Sequence, residues 1–224
     1  MRYFALIALA LLAQAAPPPA VIVVGFVGGF VHQNDSVHKE VQMADHLRTE
    51  YPVATQVKIF ANHEGQQAYK SVLQSLDSDE DGTLSDREKT LARIVLYGHS
   101  WGASEAITLA RALGKDGIPV LLTIQVDSVK KFGENDRFIP ANVAQAVNFF
   151  QLNGFLHGQR RIQASDRERT QILGNFQFDY KTQPVDCAGY PWYAQLFMKP
   201  HIEIESDPRV WNQVESLIRS KIVK

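Results

Sequence analysis

The sequence is poor in cysteine, because Cys187 is the single cysteine among 224 residues. One thiol cannot form a disulfide within the chain, and it cannot supply the several sulfur ligands of a multi-cysteine zinc site. Cys187 is therefore predicted to be a free thiol or to pair between molecules. A chain of this length buries enough surface to fold without such crosslinks, and it fits one domain.

An excess of charge of one sign is also absent, since 23 lysines and arginines stand against 24 aspartates and glutamates. Grooves for nucleic acid and polybasic membrane surfaces both depend on a large basic excess. The net charge of −1 therefore predicts no nucleic-acid partner. The acids are unevenly spread, however, and six of the 24 lie between Asp77 and Glu88.

A long hydrophobic run is missing as well. The apolar segment from Tyr3 to Ala13 is shorter than the ~20 residues that a membrane-spanning helix needs. It follows the basic Arg2 and precedes small residues that flank a cleavage point after Ala15, which is typical of a signal peptide. We predict a signal peptide over residues 1–15, one domain over 16–224 without a transmembrane segment, and a secreted or periplasmic location.

Strand and helix patterns alternate along the predicted mature chain. Four segments rich in β-branched or aliphatic residues are predicted as strands: 20–24, 55–60, 94–97 and 119–126. The segments between them have helical spacing of apolar residues. One helix is expected to follow the cap residues 34–36, and another to end at Gly114. This alternation predicts the α/β class, with a mostly parallel sheet covered by helices on both faces.

The segment Gly98–Gly102 fits the pattern G-x-S-x-G and stands between a predicted strand and a predicted helix. In that context the serine occupies a sharp, strained turn, and side chains at the flanking positions would collide with the strand and the helix. We therefore predict that Ser100 is a nucleophile rather than part of a structural turn. His99 is interpreted as a packing residue, because the turn directs neighbouring side chains apart.

A serine nucleophile needs a histidine base, and the base needs a carboxylate that fixes its tautomer. Such an acid is expected at the end of a later strand, and Asp127 stands at the end of the strand predicted over 119–126. Asp136, Asp179 and Asp186 remain alternatives on less clearly defined segments.

The base is expected after the acid in the chain, and His201 lies just before the last predicted helix. His157 is the alternative. Glu203 and Glu205 are expected to face solvent. Three further histidines are interpreted as surface residues: His38, His46 and His63.

A glycine-containing loop, Gly25–Val31, follows the first predicted strand. Ester chemistry requires backbone N–H groups that point at the developing oxyanion, and Gly28, Gly29 and Trp101 are the candidates. Phosphate binding is the weaker interpretation, because neither a Lys-Ser/Thr pair nor a G-x-G-x-x-G spacing is present. Three aromatic residues near the loop are candidates for an acyl pocket or for the core: Phe26, Phe30 and Trp101.

Together these features resemble the α/β-hydrolase family, in particular its small lipase-like and esterase-like members. The resemblance extends from Val21 to Val223 and implies a triad of Ser100, Asp127 and His201 with acyl-enzyme chemistry. Two departures stand out. The predicted mature chain begins at the family's third strand, so the early antiparallel strands are missing, and the acid follows the strand directly after the nucleophile's helix. The implied fold is thus a reduced α/β-hydrolase type.

The acidic segment 77–88 fits the EF-hand loop pattern D-x-[DN]-x-[DN]-G-x₅-E at every required position. Six residues are the predicted calcium ligands: Asp77, Asp79, Asp81, Thr83, Ser85 and Glu88. Gly82 permits the sharp turn. The alternative is an acidic loop that is simply solvated.

Only five residues separate this loop from the strand predicted at 94–97, so the helix that leaves it is short. No partner EF-hand is present, and sensor EF-hands act by opening a helix pair. We therefore expect a structural calcium site that stabilises the connection into the nucleophile strand. No organic cofactor is expected.

The sequence as a whole predicts a serine hydrolase that cleaves carboxylic esters, either small molecules or lipids. Thioester cleavage, amide cleavage and acyl transfer on the same triad are the alternatives within enzymes. A non-catalytic, calcium-dependent binding protein is the alternative from another class.

Overall fold

The computed structural model describes residues 20–222. The predicted signal peptide and its cleavage point lie outside this range. Within it, every helix is too short or too polar to cross a bilayer.

The centre of the fold is a six-stranded sheet in the order β2-β1-β3-β4-β6-β8, with every neighbouring pair parallel. A second pair, β5 and β7, forms a short parallel ladder. The strands are β1 Val21–Val27, β2 Thr55–Ala61, β3 Ile94–His99, β4 Val120–Val126, β5 Phe138–Ile139, β6 Val143–Gln151, β7 Gln163–Ala164 and β8 Gln171–Phe178.

Helices cover both faces of this sheet. They are α1 Lys39–Glu50, α2 Gly65–Leu76, α3 Asp86–Thr90, α4 Trp101–Lys115, α5 Trp192–Phe197, α6 Lys199–Ser206 and α7 Pro208–Ile222. Apolar side chains of α2 and α4 form the core on one face, and those of α1 and α7 form it on the other. The predicted α/β class is confirmed, because β1, β3 and β4 are buried on both sides as their β-branched and aliphatic sequences require.

Two helix boundaries differ from the sequence prediction. The expected cap residues 34–36 lie in a turn, where Asp35 Oδ1 accepts the N–H of Val37 at 3.1 Å, and α1 begins only at Lys39. An aspartate that bonds its own backbone in this way competes with helix formation. Gly114 lies inside α4 and allows the close approach of Asn142, and the positive φ of 75° after the helix is at Gly117.

The strand order reverses at the centre of the sheet. From β1 the chain moves outward to β2, and then returns to β3 on the other side of β1 before it continues to β4, β6 and β8. Parallel sheets bind ligands at such a reversal, in the crevice beyond the carboxyl ends of the strands. The turns after β1 and β3 meet at this position, and they contain Gly28 and Ser100.

Candidate active site

Ser100 lies in the tight turn between β3 and α4, with φ of 56° in a region that non-glycine residues rarely adopt. Its backbone is held from both sides, because its N–H donates to the carbonyl of Val126 at 3.0 Å and its carbonyl accepts the N–H of Val129 at 3.2 Å. A side chain at Gly98 or Gly102 would collide with backbone atoms less than 3 Å away. The two glycines of the motif are therefore required by the packing of α4 against β1 and β3.

His201 reaches Ser100 from the other end of the chain. Its Nε2 lies 2.9 Å from Ser100 Oγ, and its Nδ1 lies 2.7 Å from Asp127 Oδ2. The sequence predicted His201 on a loop, whereas it lies in the first turn of the short helix α6. All three side chains are buried, so the hydrogen bonds form away from bulk water.

Asp127 follows β4 and is held by more than the histidine. Its Oδ1 accepts the N–H groups of Gly158 at 2.8 Å and Gln151 at 3.2 Å, and its Oδ2 accepts Gln151 Nε2 at 2.8 Å. Burial by itself would raise the pKa of Asp127, but the hydrogen bond and charge of His201 together with these donors lower it below its usual value. The carboxylate is therefore ionised across the neutral range.

Burial lowers the pKa of His201, and the neighbouring His99 lowers it further, while Asp127 acts in the opposite direction. The net effect keeps the imidazole neutral near pH 7. With Nδ1–H directed at the carboxylate, Nε2 has a free lone pair that faces Ser100 Oγ. This is the tautomer that can accept a proton from the hydroxyl.

The alternative acids and base lie elsewhere. Asp136 is buried, but its oxygens accept Ser128 Oγ at 2.5 Å and Gln159 Nε2 at 3.1 Å. Asp179 and Asp186 are exposed and bond to nearby backbone N–H groups. His157 is exposed, and its Nδ1 lies 3.2 Å from the carbonyl of Gly158. Hydrogen bonds to Ser100 Oγ and to His201 Nδ1 come from none of these four residues in the described part of the chain.

Two of the predicted oxyanion residues lie next to Ser100. Gly28 directly follows β1 and packs against Ser100, so closely that a Cβ on Gly28 would be 2.9 Å from Ser100 Cβ. Trp101 is the first residue of α4, where helix N–H groups have no partner within the helix. Gly29 occupies the following turn with φ of 50°, and its carbonyl accepts Asn62 Nδ2. Gly28 and Trp101 are thus the two positions that adjoin Ser100 directly.

The three aromatic residues near this loop divide between core and surface. Phe26 is fully buried within the sheet. Phe30 is 93% exposed and packs edge-on against Trp101, with ring centroids 5.6 Å apart. The exposed Phe30 and the half-buried Trp101 together offer an apolar surface beside Ser100 to a substrate.

A cavity of about 560 Å³ lies beside the triad. Its wall includes Val129, whose N–H binds the carbonyl of Ser100, and Gly158, whose N–H binds Asp127. Four cationic side chains line it and no acidic residue does: Lys130, Arg137, Arg160 and Arg161. The cavity is therefore suited to an anionic group.

Sequence reasoning missed the residues that support the triad. Gln151 and Gly158 hold Asp127, and Gln151 could have been found because it is a polar residue at the carboxyl end of a buried strand. Glu203 and Glu205 were predicted to face solvent, and this was wrong, because both are 2% exposed. His38 was predicted as a surface residue, but it bonds Glu205 with 2.6 Å between Nδ1 and Oε1.

The acidic loop connects α2 to α3. One carboxylate oxygen from each of Asp77, Asp79 and Asp81 lies within 4.8 Å of the others. Asp77 also accepts the N–H groups of Asp81 and Gly82, which wraps the backbone around its carboxylate. This half of the predicted ligand set is suited to a cation that prefers oxygen ligands.

The other half of the loop is arranged differently. Glu88 Oε1 accepts the N–H and hydroxyl of Ser78, and its Oε2 accepts those of Ser85. These hydrogen bonds lower the pKa of Glu88 to about 2. Glu88 and Ser85 also form a capping box at the start of α3. A ligand role for Glu88 requires its carboxylate to leave these partners.

No protein-family model and no curated protein matches the chain. Among solved structures, RedJ aligns over 88% of this chain and 95% of its own, with 10% identity and a TM-score of 0.42. An acetyl xylan esterase aligns over 91% and 99%, with 13% identity and a TM-score of 0.41. A thermostable esterase from Pseudomonas putida aligns over 92% and 73%, with 11% identity and a TM-score of 0.42. Similarity at this level assigns no activity to the chain.

Proposed function

We propose that the chain is a serine hydrolase that cleaves carboxylic esters, with Ser100 as nucleophile, His201 as base and Asp127 as the residue that orients the base. One observation carries this proposal. The side chains form a continuous hydrogen-bonded series, with 2.9 Å between Ser100 Oγ and His201 Nε2 and 2.7 Å between His201 Nδ1 and Asp127 Oδ2. The series begins at a serine in a strained turn at the reversal of the sheet.

In the proposed reaction, Ser100 Oγ attacks the ester carbonyl carbon while His201 Nε2 takes the hydroxyl proton. Asp127 keeps the imidazole in the required tautomer and stabilises its charged form. The tetrahedral intermediate collapses when His201 gives the proton to the leaving alkoxide, which leaves an acyl group on Ser100. Water then attacks this acyl group while His201 accepts a proton from the water. Collapse of the second tetrahedral intermediate breaks the bond to Ser100 Oγ, His201 returns the proton to that oxygen, and the carboxylic acid is released.

The negative oxygen of both tetrahedral intermediates requires hydrogen-bond donors that are in place before the reaction. We assign this role to the backbone N–H groups of Gly28 and Trp101, with Gly29 as the third predicted member. Gly28 adjoins Ser100 Cβ, and Trp101 begins α4, whose positive helix end also favours an anion there. Because backbone groups supply the donors, side-chain substitution at Trp101 leaves this function in place.

The surroundings of the triad indicate the character of the ester. The aromatic pair of the exposed Phe30 and the half-buried Trp101 favours an apolar part of the ester, and the cationic cavity favours an acidic group. We therefore propose small-molecule or lipid esters that combine an apolar portion with a carboxylate or phosphate. Thioesters and amides remain alternative substrates on the same triad, as does acyl transfer to an acceptor other than water.

A non-catalytic, calcium-dependent binding protein is the alternative from another class. The triad geometry favours the enzyme, because a binding protein has no need of a histidine aligned with both a serine and a buried carboxylate. Calcium belongs to the proposal as a structural ion. Asp77, Asp79 and Asp81 would hold it, with Thr83, Ser85 and Glu88 as the further predicted ligands, and the ion would supply charge neutralisation to the loop.

Activity-based labelling tests the proposal. The protein, expressed with its predicted signal peptide and purified, is treated with a fluorophosphonate, and mass spectrometry identifies the modified peptide. We expect modification at Ser100, hydrolysis of short p-nitrophenyl esters, and a mature N-terminus at Ala16. Ser100→Ala should abolish labelling and turnover, whereas Ser104→Ala, a control at a buried serine of the same helix, should retain both. A folded wild-type protein without label or turnover would instead favour the binding protein.

A further inference from the structure

Four ionisable side chains form a largely buried cluster next to His201, where the rings of His99 and His201 have centroids 4.4 Å apart. His38 and Glu40 belong to the start of α1, His99 ends β3, and Glu205 lies in α6. The exposed fractions of their side chains are 13% for His38, 0% for Glu40, 4% for His99 and 3% for Glu205. None of them is needed for the proton transfers of the proposed reaction.

The two carboxylates in this cluster lack a cation of fixed charge. Glu205 Oε1 lies 2.6 Å from His38 Nδ1, and Glu205 Oε2 lies 3.1 Å from His99 Nδ1. Glu40 is fully buried, and within residues 20–222 no donor forms a hydrogen bond to either of its oxygens. Buried carboxylates without such compensation are strongly unfavourable.

The hydrogen bond made by His99 Nε2 determines which nitrogen of this ring can donate to the carboxylates. Its Nε2 lies 3.1 Å from the backbone carbonyl of His201, and a carbonyl can only accept, so Nε2 carries the proton. In the neutral ring Nδ1 then has a lone pair, and this lone pair faces Glu205 Oε2 at 3.1 Å and Glu40 Oε1 at 3.9 Å. Two carboxylates and a lone pair directed at one point require either extra protons or a metal ion.

We propose that His38, Glu40 and Glu205, with Nδ1 of His99, bind a divalent transition-metal ion of the zinc type. One donor atom from each of the first three residues lies within 4.8 Å of the other two. Imidazole nitrogens together with carboxylate oxygens suit Zn²⁺ and its neighbours, whereas calcium and magnesium sites are built from oxygen alone. Two carboxylates and two neutral imidazoles make the charge of the occupied site zero.

The surroundings of the cluster have the features of a metal site. A ligating histidine usually donates its other N–H to a carbonyl or carboxylate, and His99 does so to the carbonyl of His201. On His38, Nε2 lies 3.8 Å from Asp35 Oδ2 at the surface. The partly exposed His38 also provides a route for an ion from solvent.

The bound ion would be structural. It would tie the start of α1 and the helix α6 to the end of β3, one residue before Ser100, and through His99 it would hold the backbone carbonyl of His201. The proposal is independent of the serine chemistry, because the Ser100→Ala variant retains every ligand. Metal binding and hydrolysis can therefore fail separately.

Zinc binding to the full chain tests the proposal. After treatment with EDTA and dialysis, Zn²⁺ is added, bound metal is measured by mass spectrometry after gel filtration, and Tm is recorded. We expect one bound equivalent and a rise in Tm. Co²⁺ in place of zinc should give the visible absorption bands of a low-symmetry site with nitrogen and oxygen ligands.

Glu40→Gln and His38→Asn should each remove the bound equivalent, the Tm response and the cobalt bands. His46→Asn is the matched control, because His46 lies on the same helix and pairs with Glu215 at the surface. Asp79→Asn should leave the zinc equivalent unchanged, which separates the site from the acidic loop. If Glu40→Gln does not fold, His38→Asn at the partly exposed ligand decides the outcome.

Absence of bound zinc and of any Tm change in the folded wild-type protein would overturn the proposal. Retention of the equivalent in folded His38→Asn or Glu40→Gln would overturn it as well. In either case Glu40 is neutralised by a proton shared with Glu205, and the cluster is a metal-free polar network.

Discussion

Asp127 and Asp136 are both fully buried aspartates near the carboxyl ends of the central strands, yet their surroundings shift their pKa values in opposite directions. The hydrogen bond and charge of His201, with the donors Gln151 and Gly158, outweigh burial and lower the pKa of Asp127. For Asp136, burial outweighs its hydrogen bonds from Ser128 and Gln159 and raises the pKa. A carboxylate that must orient a base has to remain ionised, and this requirement favours Asp127 over Asp136 for the proposed role.

Asp127→Asn should therefore lower kcat by about 10⁴-fold, because an amide can donate to His201 Nδ1 and favour the wrong tautomer. Asp136→Asn, the matched control, should retain kcat within about tenfold, since no contact links it to His201. Steady-state kinetics with a p-nitrophenyl ester measure both, and circular dichroism verifies folding. Loss of turnover in folded Asp136→Asn together with full activity in Asp127→Asn would transfer the acid role to Asp136.

At this scale, the sequence predicted the three residues that the structure brings into one hydrogen-bonded series, because a local motif and the chain order of the fold locate them. It did not predict the burial of Glu205. The partners of Glu205 are His38 and His99, and His38 lies 167 residues away in the chain. A charged residue in a short helix is usually solvated, and only contacts made after folding reverse that expectation.

Among the elements, the buried strands β1, β3 and β4 were predictable, because continuous β-branched and aliphatic runs suit a sheet covered on both faces. Helix ends were less predictable. The turn at Asp35 moves the start of α1 to a later residue than predicted. At Gly114 a glycine is needed because Asn142 approaches closely, and not because the helix ends there. The region of α6 was predicted as a loop that precedes the last helix. Its eight residues include Pro200 and alternate glutamate with isoleucine, which is not the apolar spacing of a helix.

Calcium binding by the acidic loop before the short helix α3 should stabilise the fold. Calcium at a hundredfold excess over its Kd contributes about 2.7 kcal/mol to folding. In a chain of this length, that corresponds to a rise in Tm of roughly 5–10 °C. We expect such a rise when calcium is added to protein treated with EGTA, as recorded by differential scanning fluorimetry.

Asp79→Asn should remove this response by taking one ligand charge from the loop. Asp86→Asn is the control, because Asp86 begins α3 outside the predicted ligand set. An unchanged Tm of the wild-type protein on calcium addition would mean that the segment is a solvated acidic loop, whose fold the Glu88 capping box already maintains.

For the molecule as a whole, the topology gathers distant residues at one edge of the sheet. Parallel strands bring their carboxyl ends together, so Gly28 after β1, Ser100 after β3, Asp127 after β4 and Gln151 at the end of β6 meet although they span more than half of the chain. His201 completes the set from α6. The site is therefore a property of the complete sheet rather than of any single segment.

The net charge of −1 conceals a separation of charge across the molecule. The acidic loop lies between α2 and α3, whereas Lys130, Arg137, Arg160 and Arg161 converge on the cavity beside the triad. Composition alone predicted no polyanionic partner such as nucleic acid. It could not reveal a local cationic field, because the four residues come from segments that approach each other only after folding.

This field predicts a preference for acidic esters. p-Nitrophenyl hydrogen glutarate should have a higher kcat/KM than neutral p-nitrophenyl pentanoate, with each cation contributing up to about fivefold, as an exposed ion pair does. The preference should decline as the salt concentration rises from about 0.01 to 1 M, since the Debye length falls from about 30 to 3 Å.

Arg160→Gln and Arg161→Gln should each reduce the preference for the acidic ester, while Arg167→Gln, at an exposed arginine outside the cavity, should not. If the protein hydrolyses the neutral ester and prefers it at low salt, the cavity plays no part in substrate selection. The proposed triad would not be affected by this result.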